Sequence, residues 1–412
     1  MSKLLVIVPD AISAILVKGE YQPRYYNPGN LFEEVHILMC NNDKPDPREL
    51  QKTVGSARLF LHNLPETPQY FLQNTKWFKP WLLQPWAKPF LWAANRLQFR
   101  LLNEWAQPAV ELARQIEPDL IRCHGNDSNA YVASRIKKEL GIPYAVSLHI
   151  NPDINQRRRN IFPDAPPQEK LFAIFFDAVE IEGLKHADIV LPVYKPIIPY
   201  LKRAKISKYE VAYNVLAGDF LLKKDDYALH NPVRVISVGR HFYYKNPENL
   251  IRAIHDIPNV HLTLVGDGPY QADLESLAHE CGLDERVTFL PAVNNDELCK
   301  MLPEYDIFAV HTEHFELSKS VLEALLTGMP VIINRRVGAG GQVPELQGDF
   351  MMMVDNTRDG YAGAIKKLMG DHAMREGLGR KAYAHAQECW APAKTEAKYV
   401  EIYKRMLAEK RK

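Results

Sequence analysis

A chain of 412 residues suggests two domains or three and is long enough for two full hydrophobic cores. Its 46% apolar and 25% charged content is ordinary for a soluble globular protein, and a net charge of +1 gives no general argument for nucleic-acid binding, so any basic effect must be local and no nucleic-acid partner is expected. Cys40, Cys123, Cys281, Cys299 and Cys389 are scattered, odd in number and without a CxxC pair, which reads as reduced thiols in a cytosolic setting. Met1-Ser-Lys3 leads straight into an apolar stretch, without the start of a secretion signal, and no run of about eighteen uncharged apolar residues appears. The expectation is a cytoplasmic protein with no spanning segment.

Lys3 to Val8 reads as a continuous apolar strand of the kind buried in a parallel sheet. A long loop, Pro9 to Asn30, follows, and in a doubly wound sheet such loops at the carboxyl ends of strands form the ligand crevice. Val35 to Met39 is the second strand. Between Pro68 and Trp105 lie Trp77, Trp81, Trp86, Trp92 and Trp105, interleaved with Lys76, Lys79, Lys88, Arg96 and Arg100. That mixture suits a membrane interface or a lipid-linked or aromatic acceptor; packing of the tryptophans on the first domain's core is the alternative. Pro80, Pro85 and Pro89 break any long helix before about Phe90. Trp105 to Ile116 reads as a helix, and Pro118 to His124 as a strand.

His124-Gly125 precedes a helix, Ser128 to Leu140, capped by Asp127 or Ser128. Gly141-Ile-Pro143 then turns into a strand that ends at His149, aimed at the crevice; a lone histidine is otherwise usually structural. Asn151 to Gln168 reads as a mobile loop over the cleft, and its Arg157, Arg158 and Arg159 as an anion site or a solvated face. Glu169 to His186 is a helix, Ala187 to Leu191 a strand, Tyr194 to Ala204 a helix with awkward prolines, and Tyr209 to Val215 the last strand before a linker.

The second half opens with the strand Val233 to Val238, then Gly239-Arg240. Lys245 follows, and Asn246-Pro247 enters a helix that runs to Ile254. A guanidinium and an ammonium there could hold one anion between them. Val260 to Pro269 ends in Gly266-Asp-Gly268-Pro269, whose glycines suit either close approach to a ligand or a plain turn. Tyr270 to Cys281 is a helix and Arg286 to Leu290 a strand, with the loop Pro291-Ala-Val293 after it. No P-loop is present, and no GxGxxG follows the first strand.

Asp306 to Val310 reads as a short buried strand, Ser318 to Leu326 as a helix with Ser318 as N-cap and Gly328 as stop, and Val331 to Ile333 as the next strand. A helix start presents unpaired N–H groups and partial positive charge and attracts phosphate. Ser318, Lys319 and Ser320 add two hydroxyls and an ammonium. Glu323 shares their face, one turn behind, where a carboxylate could bind ribose hydroxyls. The bland alternative is a Glu323–Lys319 pair on an amphipathic helix. A last helix, Trp390 to Lys412, shows Tyr399, Ile402, Tyr403 and Leu407 on one side.

Several of these stretches resemble retaining GT-B glycosyltransferases of glycosyltransferase family 4 (glycosyl transferases group 1). Leu322-Glu-Ala324 and Thr327-Gly-Met-Pro-Val331 match the later half of the family signature. The earlier half departs. Phe315 stands where the family's first glutamate is usual, so Glu316 or Glu313 replaces it through a shifted loop, or the role is missing. Strand, His124-Gly125, helix, Gly141-Ile-Pro143, strand, His149 is similar to the family's amino-terminal domain. Val238-Gly-Arg240 with Lys245-Asn246, Gly266-Asp-Gly268-Pro269 and Val337 to Glu345 are similar to its second domain. Arg24 to Asn30 replaces the family's usual Gly-rich loop.

The resemblance implies an α/β GT-B fold: two Rossmann-like parallel-sheet domains facing an interdomain cleft, in line with the alternating strands and helices. The expected domains are 1–214 with a Trp-rich insertion at about 68–105, a linker 215–231, a nucleotide-sugar domain 232–389, and a helix 390–412 packing back on the first domain. It implies a retaining, metal-independent hexosyl or glycosyltransferase with no cofactor. A nucleoside-diphosphate sugar would be the donor and a hydroxyl on a glycan, lipid-linked or small molecule the acceptor. Catalytic positions would be His149, Arg240, Lys245 and Glu316. Donor contacts would come from Arg240, Lys245, Val293, Ser318, Lys319, Ser320 and Glu323, and acceptor or sugar contacts from His124, His149 and Asn30. The Trp-rich stretch would touch the inner face of a membrane. The alternatives are a non-catalytic GT-B protein that binds nucleotide sugar or acts as a scaffold, and, behind it, a GT-B epimerase or phosphorylase.

Overall fold

The computed structural model describes residues 2–17, 22–68, 80–152, 167–216, 218–242, 245–312, 316–336 and 342–410. Trp77, the arginines at 157–159, Glu313, Phe315 and residues 337–341 lie outside the described residues. The chain forms two compact units, one built from Met1–Val17, Tyr21–Tyr213 and Glu396–Lys412, the other running through Asn214–Thr395.

The first unit is a six-stranded parallel sheet: β1 (Lys3–Val8), β2 (Glu34–Met39), β3 (Arg58–Asn63), β4 (Leu120–His124), β5 (Tyr144–Leu148) and β6 (Ile189–Pro192), in the order β3-β2-β1-β4-β5-β6. Leu4 to Val8 are wholly buried, because helices cover both faces and the central strand has no polar side to show. The helices Lys88–Ile116, Ser128–Leu140 and Pro167–Lys185 pack on one another. Asn129 is wholly buried, and its Nδ2 donates to Ile7 O and His124 O, both at 3.0 Å. One carboxamide thus ties the ends of β1 and β4 together where the strand order reverses.

The second unit repeats the plan with β7 (Val233–Val238), β8 (Val260–Val265), β9 (Val287–Leu290), β10 (Ile307–Val310), β11 (Val331–Asn334) and β12 (Met352–Val354), in the order β12-β11-β10-β7-β8-β9. Counted within each unit, both sheets read 3-2-1-4-5-6. The order reverses between β1 and β4 in one and between β7 and β10 in the other, and ligands of open α/β sheets bind outside the carboxyl ends at such points.

Several elements differ from the sequence reading. Tyr209 to Val215 is not a strand. It follows β6 through a single bridge, Val190 to Tyr209, and the bond from Ala212 N to Pro192 O. Tyr194 to Ala204 divides into a 3-10 turn, Lys195–Ile197, and a helix, Ile198–Arg203, because its prolines interrupt the ladder. The helix expected from Trp105 starts at Lys88, with Pro89 in its first turn, where a missing N–H costs nothing. Trp390 ends the helix His372–Trp390, and Pro392 opens another, Pro392–Lys410. The edge strands β3 and β12 and the helix Pro47–Val54 had no counterpart in the sequence reading.

From Glu396 onward the last helix belongs to the first unit. Tyr399, Ile402, Tyr403 and Met406 are buried, and Tyr399 Oη donates to Ala212 O at 3.0 Å. Among the described residues no helix is long and apolar enough to cross a membrane.

Candidate functional site

In the second unit, a hollow opens at the carboxyl ends of β7 and β10. Gly239, His241, Lys245, His311, Thr312 and Ser318 line it. β7 delivers Gly239, β10 delivers His311 and Thr312, and the helix Lys319–Thr327 delivers its N-cap, Ser318.

The shape of the β7 loop is set from below. The Gly266-Asp267-Gly268 turn after β8 meets it backbone to backbone: Gly239 N donates to Val265 O at 3.0 Å and His241 N to Asp267 O at 2.7 Å. A Cβ at Gly266 would lie 2.0 Å from Gly239 O, and one at Gly268 2.2 Å from His241 O. The two glycines therefore serve close packing of one loop on another. His241 is buried, with Nδ1 3.2 Å from Gln271 Oε1. Burial lowers its pKa more than the Gln271 contact raises it, so the ring is neutral near neutral pH.

The helix start is fixed to the same loop. Ser320 Oγ donates to Val238 O at 3.1 Å and lies 3.0 Å from Ser318 Oγ. Ser318 has extended angles but no side-chain cap bond, so the orphan donors of the first turn are not taken up by their own N-cap. Lys245 Nζ is 2.6 Å from Glu316 Oε1, with about a fifth of each side chain exposed. Glu323 is buried one turn into the helix and accepts from Asn295 Nδ2. Arg240 is exposed, its guanidinium carbon 4.8 Å from the centre of the Phe242 ring. Lys319 is half-buried, and Val293 is half-buried in the loop after β9.

Lys245, Glu316, Ser318 and Ser320 thus come together around one hollow, with Glu323 behind them. Arg240 leaves the same loop but rests on Phe242. The sequence reading missed His241, His311, Thr312 and Asn334. Asn334 Oδ1 accepts from Thr312 N at 2.8 Å and its Nδ2 donates to Thr312 O at 3.1 Å, holding the residue after β10 in place. Their signal was position alone: His241, His311 and Thr312 follow the strands beside the reversal of order, and Asn334 ends the next strand, β11.

In the first unit, His124 and His149 end β4 and follow β5, and their rings lie 4.0 Å apart. Tyr25 Oη is 3.4 Å from His124 Nε2. Beneath them Arg122 is buried. Its Nη1 donates to Tyr25 O at 2.5 Å, and its guanidinium carbon lies 5.5, 5.9 and 5.3 Å from the ring centres of Tyr25, Tyr26 and Tyr399. Aromatic faces stabilise a cation that burial would otherwise penalise. Arg122 thereby fixes the loop after β1 against the histidine pair. Asn30 stands in a turn at φ 50°, where its Oδ1 accepts from Ser56 N at 3.0 Å.

Against known proteins, residues 222–385 match the family model described as glycosyl transferases group 1. The chain is 26% identical over 246 residues to a sulfoquinovosyl transferase of Arabidopsis thaliana, covering 58% of this chain and 46% of that protein. It is 32% identical over 108 residues to a 2-deoxystreptamine glucosyltransferase of Streptomyces kanamyceticus, 25% of this chain and 27% of the relative. The chain thus spans less than half the length of these curated relatives.

Among solved structures, sucrose-phosphate synthase from Thermosynechococcus elongatus superposes with TM-score 0.69 at 16% identity, over 99% of this chain and 100% of that one. The HepE protein of Anabaena, solved in complex with UDP and glucose, superposes with TM-score 0.68 at 16% identity, over 98% and 100%. The fold of the chain is GT-B, and its second unit is similar, over residues 222–385, to glycosyl transferases group 1.

Proposed function

We propose that this protein is a retaining, metal-independent glycosyltransferase of the family 4 type, moving a sugar from a nucleoside-diphosphate sugar to a hydroxyl acceptor. The observation that carries this reading is the convergence of Lys245, the Ser318 helix start and the β7 loop on one hollow at the reversal of strand order. Breaking a sugar–phosphate bond builds charge on the departing diphosphate and an oxocarbenium-like centre on the sugar. Lys245, Arg240 and the amides before Glu323 stabilise that diphosphate more as its charge grows, which lowers the barrier. One preorganised donor of this kind contributes about 3–4 kcal/mol.

In this reading Glu316 holds the Lys245 ammonium in place. A bare carboxylate beside the leaving group would oppose it, so the lysine stands between the two. Glu323 binds the ribose, Val293 lies along the base, and Lys319 with the Ser318 and Ser320 region holds the diphosphate. His149, paired with His124, supports the sugar hydroxyls. The acceptor proton leaves to the diphosphate, so no separate base is required.

The test is incubation with UDP-, GDP- and ADP-sugars and measurement of nucleoside diphosphate release. Arg240→Ala with Lys245→Ala should lower release about a hundredfold or more while thermal unfolding is unchanged. Unchanged release in that folded double variant removes the assignment. The departure at the first glutamate, with Phe315 in its place, favours the non-catalytic alternative, which predicts saturable binding without release under any acceptor condition.

A further inference from the structure

The described part of the Trp-rich stretch turns its aromatics in two directions. Trp105 is buried and donates from Nε1 to Pro65 O at 2.8 Å. Leu82, backed by Leu83 and Leu91, packs on Leu171 and Phe175 of the neighbouring helix. That contact anchors the stretch, and among the described residues several of its large side chains stay exposed. Trp86 is 64% exposed, Trp92 61%, Phe90 57% and Leu97 50%. Trp81 stacks on Trp86 at 5.5 Å with the rings nearly parallel, and Arg96 lies over Trp92 at 4.7 Å. Single exposed apolar residues are ordinary, but Trp86 and Phe90, both in ring contact with Trp81, form an exposed aromatic cluster, with Trp92 farther round the same helix.

Charge indicates what covers them. From residue 80 to residue 103 the sequence holds no aspartate or glutamate; Lys88 and Arg96 are exposed among the aromatics, while Arg100 pairs with Glu104 at 3.3 Å. Farther along the same helix, about 16 Å beyond Trp92 at 1.5 Å per residue, Asn103 lines a hollow that also contains Lys138, Lys185 and Lys208, with one carboxylate, Glu182, which lies 3.2 Å from His186. Among the described residues these three lysines enter no ion pair, unlike Lys137 in the same hollow, which binds Asp188 at 2.7 Å. A protein partner would be expected to bring both signs of charge to such a face. A bilayer of anionic lipids supplies an apolar layer for the rings and a sheet of phosphates for the cations together.

We propose that the first unit docks on an anionic lipid surface through the exposed cluster of Trp86 and Phe90, with Trp92 and Leu97 on the two flanks of the same helix. Lys88 and Arg96 engage the headgroup phosphates, and the hollow of Lys138, Lys185 and Lys208 takes up a further phosphate. The rings insert at the depth of the headgroups with the long cationic stems beside them, so the unit lies on the surface without spanning it.

The test is sedimentation of the full chain with vesicles of phosphatidylcholine alone and of phosphatidylcholine mixed with phosphatidylglycerol. Binding is expected on the mixed vesicles only, and it should weaken as salt rises. Trp86→Ser, Phe90→Ser and Trp92→Ser together should reduce the bound fraction about tenfold or more, with thermal unfolding like the parent's because the side chains are exposed. Lys138→Glu with Lys208→Glu should weaken binding while leaving the aromatic contribution. The proposal is overturned if the parent stays in solution with the mixed vesicles, or if the triple variant sediments as the parent does. Concentration-dependent self-association that the triple variant abolishes, without vesicle binding, overturns it in favour of a second copy of the chain. No nucleotide sugar is present, so the outcome is independent of glycosyl transfer.

Discussion

Gly266 and Gly268 hold φ values of 143° and 156°, where a side chain is strained, and each faces a carbonyl oxygen of the β7 loop. The sequence showed them as a turn that either approaches a ligand or merely bends. The structure gives them a neighbour, and that neighbour is backbone lining the hollow. Gly266→Ala should cost about 1–3 kcal/mol and should also displace Gly239 and Arg240. Urea unfolding would read the first effect and calorimetry with UDP the second. A variant with parental stability and parental nucleotide affinity would show that the turn does not shape the site. Lys245 illustrates the opposite case. Its type and place were legible, but its pairing with Glu316 was not, because a contact between residues on different strand ends depends on how the sheet orders those strands.

The last helix shows what an element owes to its partners. Glu396 Oε1 accepts from Arg24 Nε at 2.7 Å and from Gly29 N at 2.8 Å. Burial pushes the Glu396 pKa up, but the bonds from Arg24 and Gly29 outweigh it and hold it below the usual 4.5. Glu210 is lowered in the same way: burial raises it, and Lys398 and Arg405 of the helix more than reverse that. With folded values below unfolded ones, the unfolded chain binds more protons on acidification. The stabilisation is complete above about 4.5 and is lost as pH falls through the folded values. The protection of the amides of the helix Pro392–Lys410, relative to their unprotected exchange rate at each pH, should therefore fall between about pH 5 and pH 3, and Glu396→Gln should remove part of that dependence. Protection that stays constant across the window would refute the clamp.

Legibility at this scale follows burial. The central strands β1, β2 and β4 are buried along almost their whole length and read as strands for that reason. β3, Arg-Leu-Phe-Leu-His-Asn, has no wholly buried residue and so carried no such signal.

At the scale of the molecule, the chain leaves the first unit after Tyr213 and returns to it at Glu396. Tyr399, Ile402, Tyr403 and Met406 are buried there, and each fully buried apolar side chain contributes about 1.5–3 kcal/mol. Ending the chain after Thr395 should lower the thermal transition of the first unit while leaving that of the second near its parental temperature. Calorimetry on the full and shortened chains would resolve the two. Equal loss in both, or in neither, would contradict the division.

The sequence by itself determined that strands and helices alternate through both halves, where the buried runs lie, and that a helix starts at Ser318 with Lys319, Ser320 and Glu323 in its first turns. These are local properties, written in the spacing of apolar residues and in the chemistry of a helix end. Only the tertiary structure decided that β7 lies beside β10, so that Gly239, Lys245, His311 and Ser318 share one hollow, and that Trp105 turns inward while Trp86 and Trp92 turn out. The order of strands in a sheet is settled by packing between residues far apart in the chain, and side-chain periodicity carries no record of it.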